Sequence, residues 1–112
     1  MPNPVVHFEV LGKDVDVLTR FFADTFDWEM ESVMPTYAMA KPGEGIQGGV
    51  GAAPDGTDQL TFYVQVDDLQ VALDKVAANG GSTVAPPMDV PGGPSIALFA
   101  DPEGHVVGLV KT

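Results

Sequence analysis

His7 and Glu9 stand two residues apart in PVVHFEV, in a chain of 112 residues that holds two histidines and no cysteine. An imidazole beside a carboxylate can abstract and return a proton without a metal, the chemistry of isomerisation or of a lyase. A second stretch, LTFYVQV at 60–66, carries Tyr63 and Gln65 at the same spacing. If both stretches are strands, alternation puts His7 with Glu9, and Tyr63 with Gln65, opposite the apolar Val6, Phe8, Val10 and Phe62, Val64, Val66. Such polar groups are costly to bury alone, so they are expected to bond to one another or to a ligand. Trp28, Met30, Met34, Tyr37 and Met39 form an aromatic and thioether cluster that could wall a small-molecule site.

The elements that must position these residues read as one unit said twice. Strand 4–10 leads to Asp14, a plausible N-cap. Helix 15–27 follows, with Val15, Leu18, Phe22 and Phe26 at helical spacing. Short strands at 28–34 and 36–40 and a glycine-rich strand, IQGGVGA, at 46–52 complete the first half. PDGTD at 54–58 has turn chemistry. The order then restarts with strand 60–66 and a helix opened by a capping box, Asp67 with Gln70. Leu69, Ala72, Leu73, Val76 and Ala77 line one side of this helix, which stops at Asn79-Gly80-Gly81. Strands at 82–86, 95–100 and 105–111 close the chain, separated by PPMDVPGG and DPEG. In DPEG, Asp101, Glu103 and the following His105 are assigned to turn structure. Module one is expected over about 4–53, a linker over 54–59 and module two over about 60–112.

Bulk composition excludes several classes. Sixteen Asp and Glu against five Lys and Arg give a net charge of −11. A surface so acidic repels nucleic acid and anionic lipid and suits a cationic small molecule. The absence of cysteine removes disulfides, thiolate metal sites and cysteine nucleophiles. No serine-nucleophile, Walker or GxGxxG pattern is present; GGVG at 48–51 is not followed by a helix. No stretch approaches membrane-spanning length or looks like a leader, so a cytoplasmic location is expected.

The opening VVHFEV, the unit TFYVQVDDLQVALDKVAANGG and the closing FADPEGHVVGLV together resemble the vicinal oxygen chelate superfamily: glyoxalase I, bleomycin-resistance proteins, fosfomycin-resistance enzymes and extradiol dioxygenases. The resemblance spans nearly the whole chain. It implies an α+β fold in which two βαβββ modules form an open, cup-shaped mixed sheet with the helices outside and a ligand in the cup between modules. It also implies four ligand positions in metal-dependent members, one on the first and one on the last strand of each module. Carried over, these are His7, Gly48 (Gln47 if the register slips by one), Tyr63 and Gly108. Only His7 is a good ligand there, so no cofactor is expected, and a divalent metal is the alternative. The implied function is small-molecule binding at a degenerate metal site, by His7, Glu9, Tyr63, Gln65, Gln47, Trp28, Tyr37 and Met39. The alternative is a glyoxalase-like lyase or isomerase or a dioxygenase, with unusual metal ligands or with His7 and Glu9 as catalytic acid-base groups. A homodimer is the expected assembly, since sheet edges need cover.

Overall fold

A computed structural model describes residues 2–53 and 58–112. Its elements follow the doubled order: β1 (Val5–Gly12), α1 (Val15–Phe26), β2 (Glu29–Met34), β3 (Tyr37–Lys41), β4 (Gln47–Ala52), then β5 (Gln59–Val66), α2 (Leu69–Ala78), β6 (Ser82–Asp89), β7 (Ser95–Ala100) and β8 (Val106–Lys111). The class is α+β, as expected. The chain divides into two compact units, Val6–Thr61 and a second made of Phe62–Thr112 with the N-terminal residues through Val5. The Gln65 N–H donates to the Pro4 carbonyl at 2.9 Å, which ties those first residues to the second unit. The expected linker falls mostly on 54–57, outside the described residues.

In the first unit the strands run in the order β2-β3-β4-β1. β1 and β4 are parallel; β2–β3 and β3–β4 are antiparallel. α1 starts at Asp14, whose side chain accepts from the Val17 N–H at 3.1 Å. It ends at Asp27, whose backbone is left-handed (φ +60°). That turn returns the chain under the helix, and Trp28 stacks on Phe22, with ring centroids 5.5 Å apart and planes within 8°. Phe8 from β1 joins the stack at 5.5 Å from Trp28. The α1 face of the sheet is therefore held by aromatic rings above the buried Ala38, Ala40 and Val50.

The second unit repeats the plan with strand order β5-β8-β7-β6. Its core is Val66, Leu69, Leu73, Ala97 and Leu109, with Val64, Ala72 and Phe99 packed against it. Two sequence expectations need correction. The α2 N-cap is Asp68, which accepts from the Val71 N–H at 3.0 Å; Asp67 precedes it, and Gln70 donates to Asp74 instead of closing a capping box. β6, expected over 82–86, continues past Pro86 and Pro87 to Asp89, so Met88 of PPMDVPGG is a strand residue opposite Ile96. The prolines survive because β6 ends the strand order and, among the described residues, pairs with β7 alone, in a ladder that skips register between Ala85 and Met88. The Asp101 carboxylate organises the turn into β8, accepting from the N–H groups of Glu103 and His105 and from the His105 ring, each at 2.9 Å.

Candidate functional site

The ladders of the first unit settle which residues share a face. β1 pairs with β4 so that His7 stands opposite Gln47 and Glu9 opposite Gly49. β4 pairs with β3 so that Gly49 stands opposite Met39 and Gly51 opposite Tyr37. Paired residues of neighbouring strands project on one side of a sheet. His7, Glu9, Tyr37, Met39 and Gln47 therefore lie together on the face opposite α1. Gly48 does not: a side chain there would strike the Phe8 ring at 2.3 Å, on the α1 side. The slipped register is the right one, and Gln47, exposed, occupies the last-strand position beside His7.

Trp28 is also on the wrong side for this site. It belongs to the ring stack under α1, so its expected place in a ligand wall is replaced by a packing role. Tyr63 and Gln65 lie in the second unit. Tyr63 is buried, 7% exposed, with its ring over Gly108, where an added Cβ would meet Tyr63 Cδ2 at 2.3 Å.

The centre of the site is a hydrogen-bonded chain of three side chains. The Tyr37 hydroxyl donates to Glu9 Oε2 at 3.0 Å and lies 3.1 Å from His7 Nε2. A phenol has one proton to give. With that proton on Glu9, the Tyr37 oxygen is left to accept, and the contact at 3.1 Å is met by a proton on His7 Nε2. Burial holds the His7 imidazole below its usual pKa of 6.5, against the opposing pull of the Glu9 carboxylate. Burial thus favours the neutral imidazole, the form that can act as a base.

Tyr37 reaches across from β3 to β1 only because β4 offers no side chains in its path. An added Cβ on Gly49 would meet the Tyr37 hydroxyl at 1.6 Å and Cζ at 2.0 Å; one on Gly51 would meet Tyr37 Cδ1 at 2.5 Å. Gly49 and Gly51 are a platform for this ring. Neither glycine is among the ligand positions that the family resemblance implies; the signal for their role is alternate glycines next to a strand with an aromatic residue. The rest of the face is acidic. Lys41 is engaged by Glu31, which lowers the Glu31 pKa and raises that of Lys41, and Glu29 stands opposite Lys41 in the ladder.

The donor set does not fit a transition metal. Among the described residues no group of three or more His, Cys, Asp and Glu is placed to hold a metal ion. His7 and Glu9 are two donors with a phenol seated between them, where iron, zinc and nickel sites use three or four. Two clefts lie elsewhere, both in the second unit, with volumes of about 380 and 320 Å³. No helix among the described residues is long and apolar enough to cross a membrane.

Comparison with known proteins fits this architecture. The sequence description of the Glyoxalase/Bleomycin resistance protein/Dioxygenase superfamily matches residues 5–109. A glyoxylase-like domain-containing protein of Didymella fabae is 29% identical over 110 residues, 87% of this chain and 84% of that one. Two other curated relatives match over only 30% of their own length, so the chain spans less than a third of them. Among solved structures, a glyoxalase/bleomycin resistance protein/dioxygenase superfamily member from Vibrio splendidus superposes with a TM-score of 0.70 at 16% identity, covering 99% of this chain and 100% of that one. A methylmalonyl-CoA epimerase from Mycobacterium tuberculosis superposes with a TM-score of 0.68 at 18% identity, over 96% of this chain and 86% of that one. At these identities the two structures speak for the fold alone.

Proposed function

We propose, for a chain that belongs to the glyoxalase/bleomycin resistance protein/dioxygenase superfamily, that it binds a small organic molecule at His7, Tyr37 and Glu9, on the face of the first unit opposite α1. The observation that carries this reading is the Tyr37 hydroxyl bridging Glu9 and His7 at 3.0 and 3.1 Å. Two glycines are given up to place that ring, and the resulting polar groups sit half-buried beside Met39 on a face that also carries Gln47. Such a set gathers a carboxylate, a phenol and an imidazole, groups that match a ligand with N–H or O–H donors, beside a thioether that accepts an apolar surface. The carboxylates Glu9, Glu29 and Glu31 against Lys41 favour a cationic ligand.

The test is a thermal-shift and calorimetric screen of small cationic and aromatic compounds with a chelator present. A ligand at one hundred times its Kd stabilises the folded state by about 2.7 kcal/mol, which such a screen resolves. Tyr37→Phe should weaken a hit about tenfold, the loss of one hydrogen bond to a polar group. A hit whose affinity ignores Tyr37→Phe and Glu9→Gln is bound elsewhere, and a blank screen counts against the proposal.

A second reading has one observation in its favour, the His7 imidazole joined to a carboxylate through a phenol. That arrangement supports proton abstraction next to a carbonyl, as in a lyase or isomerase. Incorporation of solvent deuterium into a panel of carbonyl compounds, lost in His7→Ala, is its test. Unchanged exchange in His7→Ala removes it.

A further inference from the structure

The duplicated plan allows one unit to be compared with the other position by position. Phe22 stands eight residues after the α1 N-cap Asp14, and Val76 eight residues after the α2 N-cap Asp68. Phe8 follows His7 on β1 as Val64 follows Tyr63 on β5. Trp28, just past the end of α1, has only Asn79, Gly80, Gly81 and Ser82 in the corresponding stretch after α2. In the first unit Phe8, Phe22 and Trp28 fill the space between helix and sheet, with centroids 5.5 Å apart. In the second unit two valines and small residues stand in their place, and the space is left as a cleft of about 320 Å³.

Its walls are Val64, Val66, Ala72, Val76, Phe99 and Leu109. Four of these, Val64, Ala72, Val76 and Phe99, are only half-buried, so apolar surface that belongs to the core meets solvent through the cleft. The rim holds one cation, Lys75, and one carboxylate, Asp101, whose oxygens already accept the hydrogen bonds of the DPEGH turn. The C-terminal carbonyls of α2 lie at the same rim, near Asn79, and they oppose an anion. The rim thus gives no net preference for either charge, while the walls select for apolar surface.

We infer that the cleft between α2 and the sheet of the second unit is a binding site for an uncharged, ring-sized apolar molecule, seated where the first unit places its own aromatic side chains. The volume falls at the lower end of small-molecule sites, which run from about 300 to 1,000 Å³. Apolar walls that meet solvent gain about 25 cal/mol for each Å² that a bound ring removes from water. The site is separate from His7, Tyr37 and Glu9 and stands or falls independently of the reading proposed for them.

The experiment is an indole titration followed by amide 1H–15N spectra, with indole-3-acetate and tryptamine as charged counterparts. Saturable shifts confined to Val64, Ala72, Val76, Phe99 and their neighbours are expected, with indole binding more tightly than either charged compound. Val76→Phe places in the second unit the ring that Phe22 supplies in the first, and should weaken indole at least about tenfold. Val64→Phe is the second filling variant, for use if Val76→Phe fails to fold. Shifts centred on His7 and Tyr37, equal affinity in both filling variants, or no saturation at millimolar indole would overturn the inference. In the last case the cleft is a packing gap only, and Val76→Phe would show itself as a gain in thermal stability without any loss of binding.

Discussion

Gly49→Ala tests the way the candidate site is built. The added methyl would lie 1.6 Å from the Tyr37 hydroxyl and 2.0 Å from its Cζ. Both atoms are at the far end of a side chain, so the cheapest relief is to swing the ring off β4. Doing so breaks the contacts to His7 and Glu9, at 3.1 and 3.0 Å. Leaving half-buried polar groups unmatched costs about 1–3 kcal/mol, and overpacking costs a similar amount when the ring cannot move. The expected loss is about 2–3 kcal/mol, read as a lower midpoint of urea unfolding at unchanged slope. The control is the background. In Tyr37→Ala the obstruction is gone, and Gly49→Ala should be neutral or stabilising by up to about 1 kcal/mol, because glycine inside a strand is entropically unfavourable. In Tyr37→Phe the ring remains, with Cζ in the way, so Gly49→Ala should stay costly. The cycle with Tyr37→Ala should therefore show a coupling of at least about 1.5 kcal/mol. Additivity of Gly49→Ala and Tyr37→Ala within about 0.5 kcal/mol would refute the platform argument.

His7 titrated by NMR should show a pKa below 6.5, and Glu9→Gln should lower it further by removing the carboxylate that opposes desolvation. Because the unfolded chain takes up a proton near 6.5 and the folded chain resists it, stability should fall as pH drops below 6.5 toward the folded value, and His7→Gln should flatten that segment of the profile. Trp28→Ala should cost about 3–5 kcal/mol through loss of the ring stack, yet leave the His7 titration in place, since the two residues face opposite sides of the sheet. Asp68→Ala should destabilise α2 by about 1 kcal/mol and Asp67→Ala by much less, which circular dichroism melts of the two variants would separate. Asp101→Ala should speed amide exchange at Glu103 and His105, the two N–H groups its carboxylate holds; unchanged exchange would remove it from the turn.

Element order and the two-fold plan were legible because they rest on local signals: alternation in VVHFEV and TFYVQV, helical spacing after Asp14 and Asp68, and glycine stops. What alternation could not supply was phase in a strand of glycines. IQGGVGA has no side-chain contrast at 48, 49 and 51, so it fits either register, and only the ladder to His7 and Glu9 distinguishes Gln47 from Gly48. Trp28 was misread for a related reason. Its placement depends on the left-handed Asp27, a conformation uncommon outside glycine and not marked in the sequence by one. The prolines of β6 looked like a loop because the bulge that absorbs them is a property of its pairing with β7, which the local sequence does not encode.

The glycines change meaning once the faces are known. Gly48 and Gly49 are consecutive, so they open onto opposite sides of β4. On one side the Phe8 ring lies against Gly48, within 2.3 Å of where a Cβ would be; on the other the Tyr37 ring lies against Gly49. A strand stripped at both positions lets an aromatic ring from each neighbouring strand lie flat across it, one sealing α1 to the sheet and the other delivering a hydroxyl to His7 and Glu9. In the second unit Gly108 on β8 receives the Tyr63 ring in the same way. Read as absent metal ligands, Gly48 and Gly108 mark a lost function. Read by what lies on them, they and Gly49 are what the rings require, and in the first unit the residue so placed joins an acid to a base. A carboxylate introduced at Gly49 would not restore a chelate; it would displace the phenol that makes the present site.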